Sequence, residues 1–159
     1  MDAGAIRSRS DGTRFRPVGL IRSGIKARSQ APRQGSEGAP DAWLDVYAWA
    51  ASGLHGIAVG DELIVITWLH RARRDVLKVH PRSDARNPLM GVFATRSPDR
   101  PNPLGLHPVV VRAIHGRRLR VGQIEAIDRT PVVDVKPVWQ PIPAYTGSKT
   151  IRAQKCCRT

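Results

Sequence analysis

Leu106 to Gln123 reads L-H-P-V-V-V-R-A-I-H-G-R-R-L-R-V-G-Q, and this stretch decides the architecture. Its first part, Leu106 to Ile114, is rich in β-branched residues, which suit a pleated strand. Its last part, Arg118 to Gln123, sets Leu119 and Val121 alternately with Arg118 and Arg120, so one face is apolar and the other wet. Between them His115-Gly116 makes a tight reversal, because glycine accepts the positive φ that a two-residue hairpin demands.

Further strand signals come in short pieces separated by glycine and proline. Glu62 to Leu69 (ELIVITWL), bounded by Gly60-Asp61, reads as a central strand buried on both faces. Phe15 to Ile21, Met90 to Thr95 and Val132 to Lys136 read as strands, the last with Val133 and Val135 alternating with Asp134 and Lys136. Trp43 to Leu54 fits neither period cleanly and is read as a strand passing into a short helix. Arg71 to Pro88 is an extended surface connection, and the loop Ser29 to Asp41 is too long for a simple hairpin, which marks it for function. The pattern predicts a mainly β fold: an antiparallel, closed or nearly closed β-barrel of about seven strands with one or two short helices. It also predicts three parts, a disordered basic extension over 1–14, the barrel domain over 15–139 and a basic tail over 140–159.

At 159 residues, with 26 Lys+Arg against 13 Asp+Glu, the chain has the size of one domain and a formal charge of +13. The charge is uneven: residues 1–38 carry eight basic and three acidic side chains, 140–159 four and none, and the middle fourteen and ten. Basic ends around a milder centre suit a polyanion, RNA first, or are solvated arginine-rich tails. No apolar run approaches the length of a membrane span, and Arg7, Arg9, Arg14 and Arg16 interrupt any secretory stretch, although the Arg/Ser-rich start faintly resembles a transit peptide. The only cysteines, Cys156 and Cys157, are adjacent and bridge only with strain, so a reducing, cytoplasmic compartment is expected.

Dinucleotide-binding, P-loop, paired C-x-x-C and H-E-x-x-H patterns are absent. The five histidines are too scattered for a metal site, so no metal is expected, and no nucleophile has a suitable setting. What stands out is Gly91 to Leu106, G-V-F-A-T-R-S-P-D-R-P-N-P-L-G-L. Pro98, Pro101 and Pro103 stiffen it and hold Arg96, Arg100 and Asn102 in preset directions. Such an array suits a planar or anionic ligand, or is a surface polyproline segment or partner motif.

This segment, followed by A-I-D-R-T-P-V-V-D-V-K-P over 126–137, closely resembles the TsaA-like (TrmO) family. So do P-V-G-L-I-R-S at 17–23, A-P-R-Q at 31–34 and T-W-L-H at 67–70, so the resemblance covers roughly residues 15 to 139. It implies a β-barrel methyltransferase, commonly homodimeric, that uses S-adenosylmethionine to methylate the exocyclic amine of threonylcarbamoyladenosine beside the tRNA anticodon.

Carried over by residue, the resemblance implies that Pro32, Arg33 and Gln34 line the cofactor, with His70 and Arg71 close by. Arg96 would meet the carboxylate of the cofactor or of the threonyl group, Leu106 would pack against the adenine, and the turn Glu125, Ala126, Ile127, Asp128 would complete the pocket. A zwitterion bearing an adenine needs such a fixed cation, acceptors and an apolar wall. Arg96, His70 and Asp128 are the candidate catalytic residues; Asp128, Glu125 and His70 are the candidate proton acceptors. His70 has the alternative role of a satisfied core histidine. Arg100, Asn102 and Lys136 are candidates for RNA contact, Lys136 alternatively for a surface charge near Asp134. Three positions depart from the family pattern: Arg129 stands where glycine is common, Glu125 where aspartate is, and His107 where serine is frequent. Rival functions are methylation of a small metabolite on the same fold, or non-catalytic RNA binding. For the latter, the two Phe, two Tyr and four Trp offer few bases a stacking partner.

Overall fold

The computed structural model describes residues 6–7 and 14–138. Ten strands follow in chain order: β1 (Ile6–Arg7), β2 (Arg14–Phe15), β3 (Gly19–Arg22), β4 (Ala42–Val46), β5 (Glu62–Trp68), β6 (Lys78–Val79), β7 (Met90–Gly91), β8 (Leu104–His115), β9 (Arg118–Val121) and β10 (Pro131–Pro137). Six of them close into one antiparallel barrel in the order β10-β3-β4-β9-β8-β5, sealed by the ladder between β5 and β10. The other four form two small ladders, β1 with β2 and β6 with β7.

Alternation explains the barrel. Ile21, Leu44, Val65, Val111, Leu119, Val121 and Val132, all at 0% exposure, point inward from the six ring strands. A ring this narrow is filled by its own side chains, so aliphatic residues at every second position give it a packed core. The hairpin turn sits one residue later than its sequence suggests. His115 pairs with Arg118, and the two-residue loop is Gly116-Arg117, with Gly116 at φ 59° in its first position.

Several expectations are corrected. The ring has six strands, not about seven, because Met90 to Thr95 is a strand only at Met90–Gly91 and then tightens into a 3₁₀ turn, Val92–Ala94. Of this segment only Val92 is buried, while Phe93 is 82% exposed, so no apolar face holds it against the barrel. Helical structure among the described residues is five short 3₁₀ segments, of which Ala48–Leu54 is the expected turn after the strand in Trp43 to Leu54. β5 is not buried on both faces: Leu63, Val65 and Thr67 are buried, whereas Ile64 and Ile66 are half-buried on the outer side. In β10 a register shift between Val132 and Asp134 turns Val132 inward, which leaves Val133 and Val135 only half-buried. The expected N-terminal extension lies outside the described residues except where Ile6–Arg7 pairs with Arg14–Phe15, and the C-terminal tail lies outside them altogether.

Arg129 has φ 65°, the left-handed region that glycine occupies without cost. Its side chain is exposed, while its amide donates to the Ile21 carbonyl at 2.7 Å. Left-handed geometry costs a residue with a Cβ roughly 1–2 kcal/mol, against about 0.5–1 kcal/mol for the extra unfolded-state freedom of glycine. Arg129→Gly is therefore expected to stabilise the fold by about 0.5–1 kcal/mol, read from the urea midpoint at unchanged m-value.

Candidate functional site

Three excursions leave the ring, after β3, after β5 and after β9, and their backbones are tied together. The Ile124 amide donates to Pro40 at 3.2 Å and Asp128 to Ile25 at 2.7 Å, joining the excursions after β3 and β9, while Leu69 to Pro103 at 2.8 Å and Arg100 to Arg73 at 3.0 Å close the one after β5 on itself and Arg71 Nη1 joins it to the Lys26 carbonyl. With the outer surface of β8 they enclose a cleft of about 1200 Å³. Seven arginines and only three acidic residues line it, so the cleft favours an anion.

The segment quoted as Gly91 to Leu106 is stiffened by prolines as its sequence implies, but its lock is Arg100. The guanidinium donates from Nε to the Ser97 carbonyl at 2.8 Å, and from Nη2 to Thr95 at 2.6 Å and Val92 at 2.9 Å. Asp99 ties this segment to its neighbours, facing both Nη atoms of Arg28 at 3.0 and 3.1 Å and accepting the Arg73 amide at 2.9 Å. Burial opposes ionisation of Asp99, yet the hydrogen bonds and charge of Arg28 and the Arg73 amide hold its carboxyl below the ordinary range. Arg96, by contrast, is exposed at the cleft and makes no hydrogen bond to the described residues.

At the end of β5, His70 presents a buried Nδ1 that has no hydrogen-bond partner among the described residues. Burial, reinforced by the charge of Arg71, pushes its imidazole below the ordinary histidine range and favours the neutral ring. Arg71 itself donates to the Lys26 carbonyl at 3.0 Å. Glu125 enters from the excursion after β9 and lies against His107, Nδ1 to Oε1 2.9 Å. A Cβ added at Gly35 would collide with the Gln123 carbonyl oxygen and reach 3.3 Å from Glu125 Oε2. The loop therefore approaches this wall only because residue 35 is glycine.

Pro32, Arg33, Gln34, His70, Arg71, Arg96, Leu106, Glu125, Ala126 and Ile127 all line this one cleft, and Arg100 does too. Asp128 does not: its carboxylate accepts the Ser23 amide at 3.1 Å and Lys26 Nζ at 2.8 Å, which fastens two excursions together. Asn102 and Lys136 also lie off the cleft, Lys136 paired with Asp134 at 3.0 Å on the surface. Arg28, Asp99 and His107 escaped the sequence reading as site residues. Asp99 and His107 stand inside or beside the recognised motif, so proximity to it was the available signal.

Among the described residues no group of three or more His, Cys, Asp or Glu is placed to hold a metal ion, and no helix is long and apolar enough to cross a membrane. Fold and cleft together define a small antiparallel barrel carrying an arginine-rich ligand site on its connecting loops. The chain belongs to the tRNA-methyltransferase O N-terminal domain family, whose match spans residues 20–143. It is 40% identical over 129 residues to a probable S-adenosyl-L-methionine-binding protein of Methanothermobacter thermautotrophicus, covering 81% of this chain and 92% of that one. A protein of the same description from Archaeoglobus fulgidus is 43% identical over 135 residues, 85% of this chain but 36% of its own length. The crystal structure of TrmO from Pseudomonas aeruginosa superposes with a TM-score of 0.63 at 28% identity, covering 85% of this chain and 60% of that chain. The chain thus spans less than two thirds of two of these three proteins.

Proposed function

We propose that the protein is an S-adenosylmethionine-dependent methyltransferase that acts, as a homodimer, on the exocyclic amine of threonylcarbamoyladenosine in tRNA. The observation that carries the reading is the meeting of Pro32–Gln34, His70–Arg71, Arg96 and Glu125–Ile127 in one cleft, although they are far apart in sequence. Family membership and the naming of two relatives as probable S-adenosyl-L-methionine-binding proteins support it.

The residues present fit that cofactor. The buried Nδ1 of His70, without a partner among the described residues, offers a polar atom to a ligand. Arg96 offers donors to a carboxylate, Glu125 an acceptor to an amino or hydroxyl group, and Leu106 with Ala126 and Ile127 an apolar wall to a purine. When bound, the cofactor supplies a methyl group on a sulfonium, which is a good leaving group. The protein then has mainly to hold an amine in line at near-attack distance, a positioning task suited to loops locked by Arg100 and Asp99. The seven cleft arginines and the +13 charge favour an anionic substrate such as RNA. Leu77, Leu89, Met90 and Phe93, exposed on and beside the β6–β7 ladder, are the surface that dimer formation would cover.

The test is incubation with S-adenosylmethionine and tRNA carrying threonylcarbamoyladenosine, followed by digestion and mass spectrometry of the nucleosides. One methyl added to that nucleoside alone is expected. Cofactor binding without that product would move the substrate to another molecule, and tight, salt-dependent tRNA binding without cofactor binding would leave an RNA-binding module.

A further inference from the structure

Behind Glu125 the barrel wall holds a polar chain in a largely aliphatic core. Thr67 on β5 and His107 on β8 are 0% and 3% exposed, and Thr67 Oγ1 lies 2.8 Å from His107 Nε2. His107 Nδ1 then meets Glu125 Oε1 at 2.9 Å. Gly105 keeps the room for this contact, because a Cβ there would stand 2.5 Å from both His107 Nε2 and Thr67 Oγ1. Burying such groups is costly unless each is satisfied, so a barrel seeking only stability would place valine and leucine here. The chain ends at a carboxylate on the cleft, with Oε2 turned toward Gly35.

We propose that Glu125 accepts the proton released in methyl transfer and that Thr67 and His107 are the positioning pair that aims its carboxylate. This rests on the methyltransferase reading of the cleft. An ionised carboxylate only accepts, so His107 donates from Nδ1, and the Thr67 hydroxyl, whose hydrogen rotates to suit, anchors the far side of the ring. As the amine forms its new N–C bond and the C–S bond breaks, sulfur leaves with the electron pair and nitrogen carries the positive charge. Glu125 takes the N–H proton at Oε2, becomes a neutral acid and returns the proton to solvent through the cleft. Burial works to raise the Glu125 carboxyl, but the hydrogen bond and charge of His107, aided by Arg96, outweigh it and hold it below the ordinary range. It is thus ionised at neutral pH, and a weak base suffices because a positively charged, methylated exocyclic nitrogen is strongly acidic.

Two isosteric variants test this. Glu125→Gln, assayed at saturating S-adenosylmethionine, should lower kcat at least 100-fold, in the range for loss of a general base, with the acidic limb of the kcat profile gone. Thr67→Val should lower kcat about tenfold at unchanged cofactor affinity, with Thr67→Ser restoring it. Nitrogen-15 spectra of the cofactor-free protein should show a protected His107 Nδ1–H that Thr67→Val broadens and Thr67→Ser recovers. Besides His107 on β8, the charged and titratable groups that line this cleft with Glu125 are Arg28 and Arg33 on the excursion after β3, Glu62 on β5, His70, Arg71, His80, Arg82, Arg96, Asp99 and Arg100 on the excursion after β5, and Arg112 on β8. Profiles are therefore repeated in His70→Gln and His80→Gln backgrounds, which remove the other imidazoles of the cleft. Retention of kcat by Glu125→Gln, or a loss wholly in cofactor affinity, would overturn the proposal while leaving the methyltransferase reading intact. Absence of any methyl transfer by the unaltered protein would instead overturn that reading.

Discussion

Arg100→Lys is expected to weaken S-adenosylmethionine binding about 100-fold, although the charge is kept. The guanidinium bridges three carbonyls of its own segment, and an ammonium on a flexible stem cannot hold that fork. Hydrogen bonds to charged groups contribute roughly 1.5–3 kcal/mol each, so losing one or two of the three costs the ordered segment about 1.5–6 kcal/mol. Affinity falls by the fraction of molecules that still present the segment in its binding conformation, and about 2.7 kcal/mol corresponds to a factor of 100. Calorimetric titration with the cofactor reads the effect. The same variant separates two roles for this residue, because a side chain that only met RNA phosphates would tolerate lysine and leave cofactor affinity as it was.

Gly35→Ala should produce a comparable loss through the opposite wall. The added methyl meets a backbone carbonyl, Gln123, which has little freedom because its own residue sits at φ 52°. Overpacking of this kind costs about 1–3 kcal/mol. The loop bearing Pro32, Arg33 and Gln34 must swing away from Glu125 to relieve it, which opens the cleft. Cofactor affinity is expected to fall roughly ten- to a hundredfold. Gly53→Ala is the control: nothing lies within 4 Å of its added Cβ, so it should change neither binding nor unfolding.

The barrel was legible in the sequence because its determinants are local. Leu119 and Val121 against Arg118 and Arg120, with Gly116 before them, specify a hairpin whatever lies around it. The register shift in β10 was not legible, since Val132 and Val133 are equally apolar and only the pairing with Thr67 and Ile66 decides which faces inward. Likewise β5 is apolar at every position from Leu63 to Ile66, so its sequence could not say that one side faces only partial cover. Of the candidate site, Gly91 to Leu106 was legible because its motif is contiguous, whereas Pro32–Gln34, His70–Arg71 and Glu125–Ile127 were reached only through the family resemblance. The task of each side chain was not legible, because it depends on partners 3 to 105 positions away, as with Arg100 on Ser97 and Asp128 on Ser23.

Closure by β10 also governs when the molecule can come into being. That strand lies between β3 and β5 in the ring, so the first and middle parts of the chain are joined by almost the last residues of the barrel to be made. During synthesis, β3, β4, β5, β8 and β9 must wait as an incomplete sheet with two raw edges until Pro131–Pro137 leaves the ribosome. Contacts of such long sequence separation fold slowly. A nascent chain stalled before residue 131 would thus carry Pro32–Gln34, His70–Arg71, Arg96 and Glu125–Ile127 yet have no barrel to mount them on.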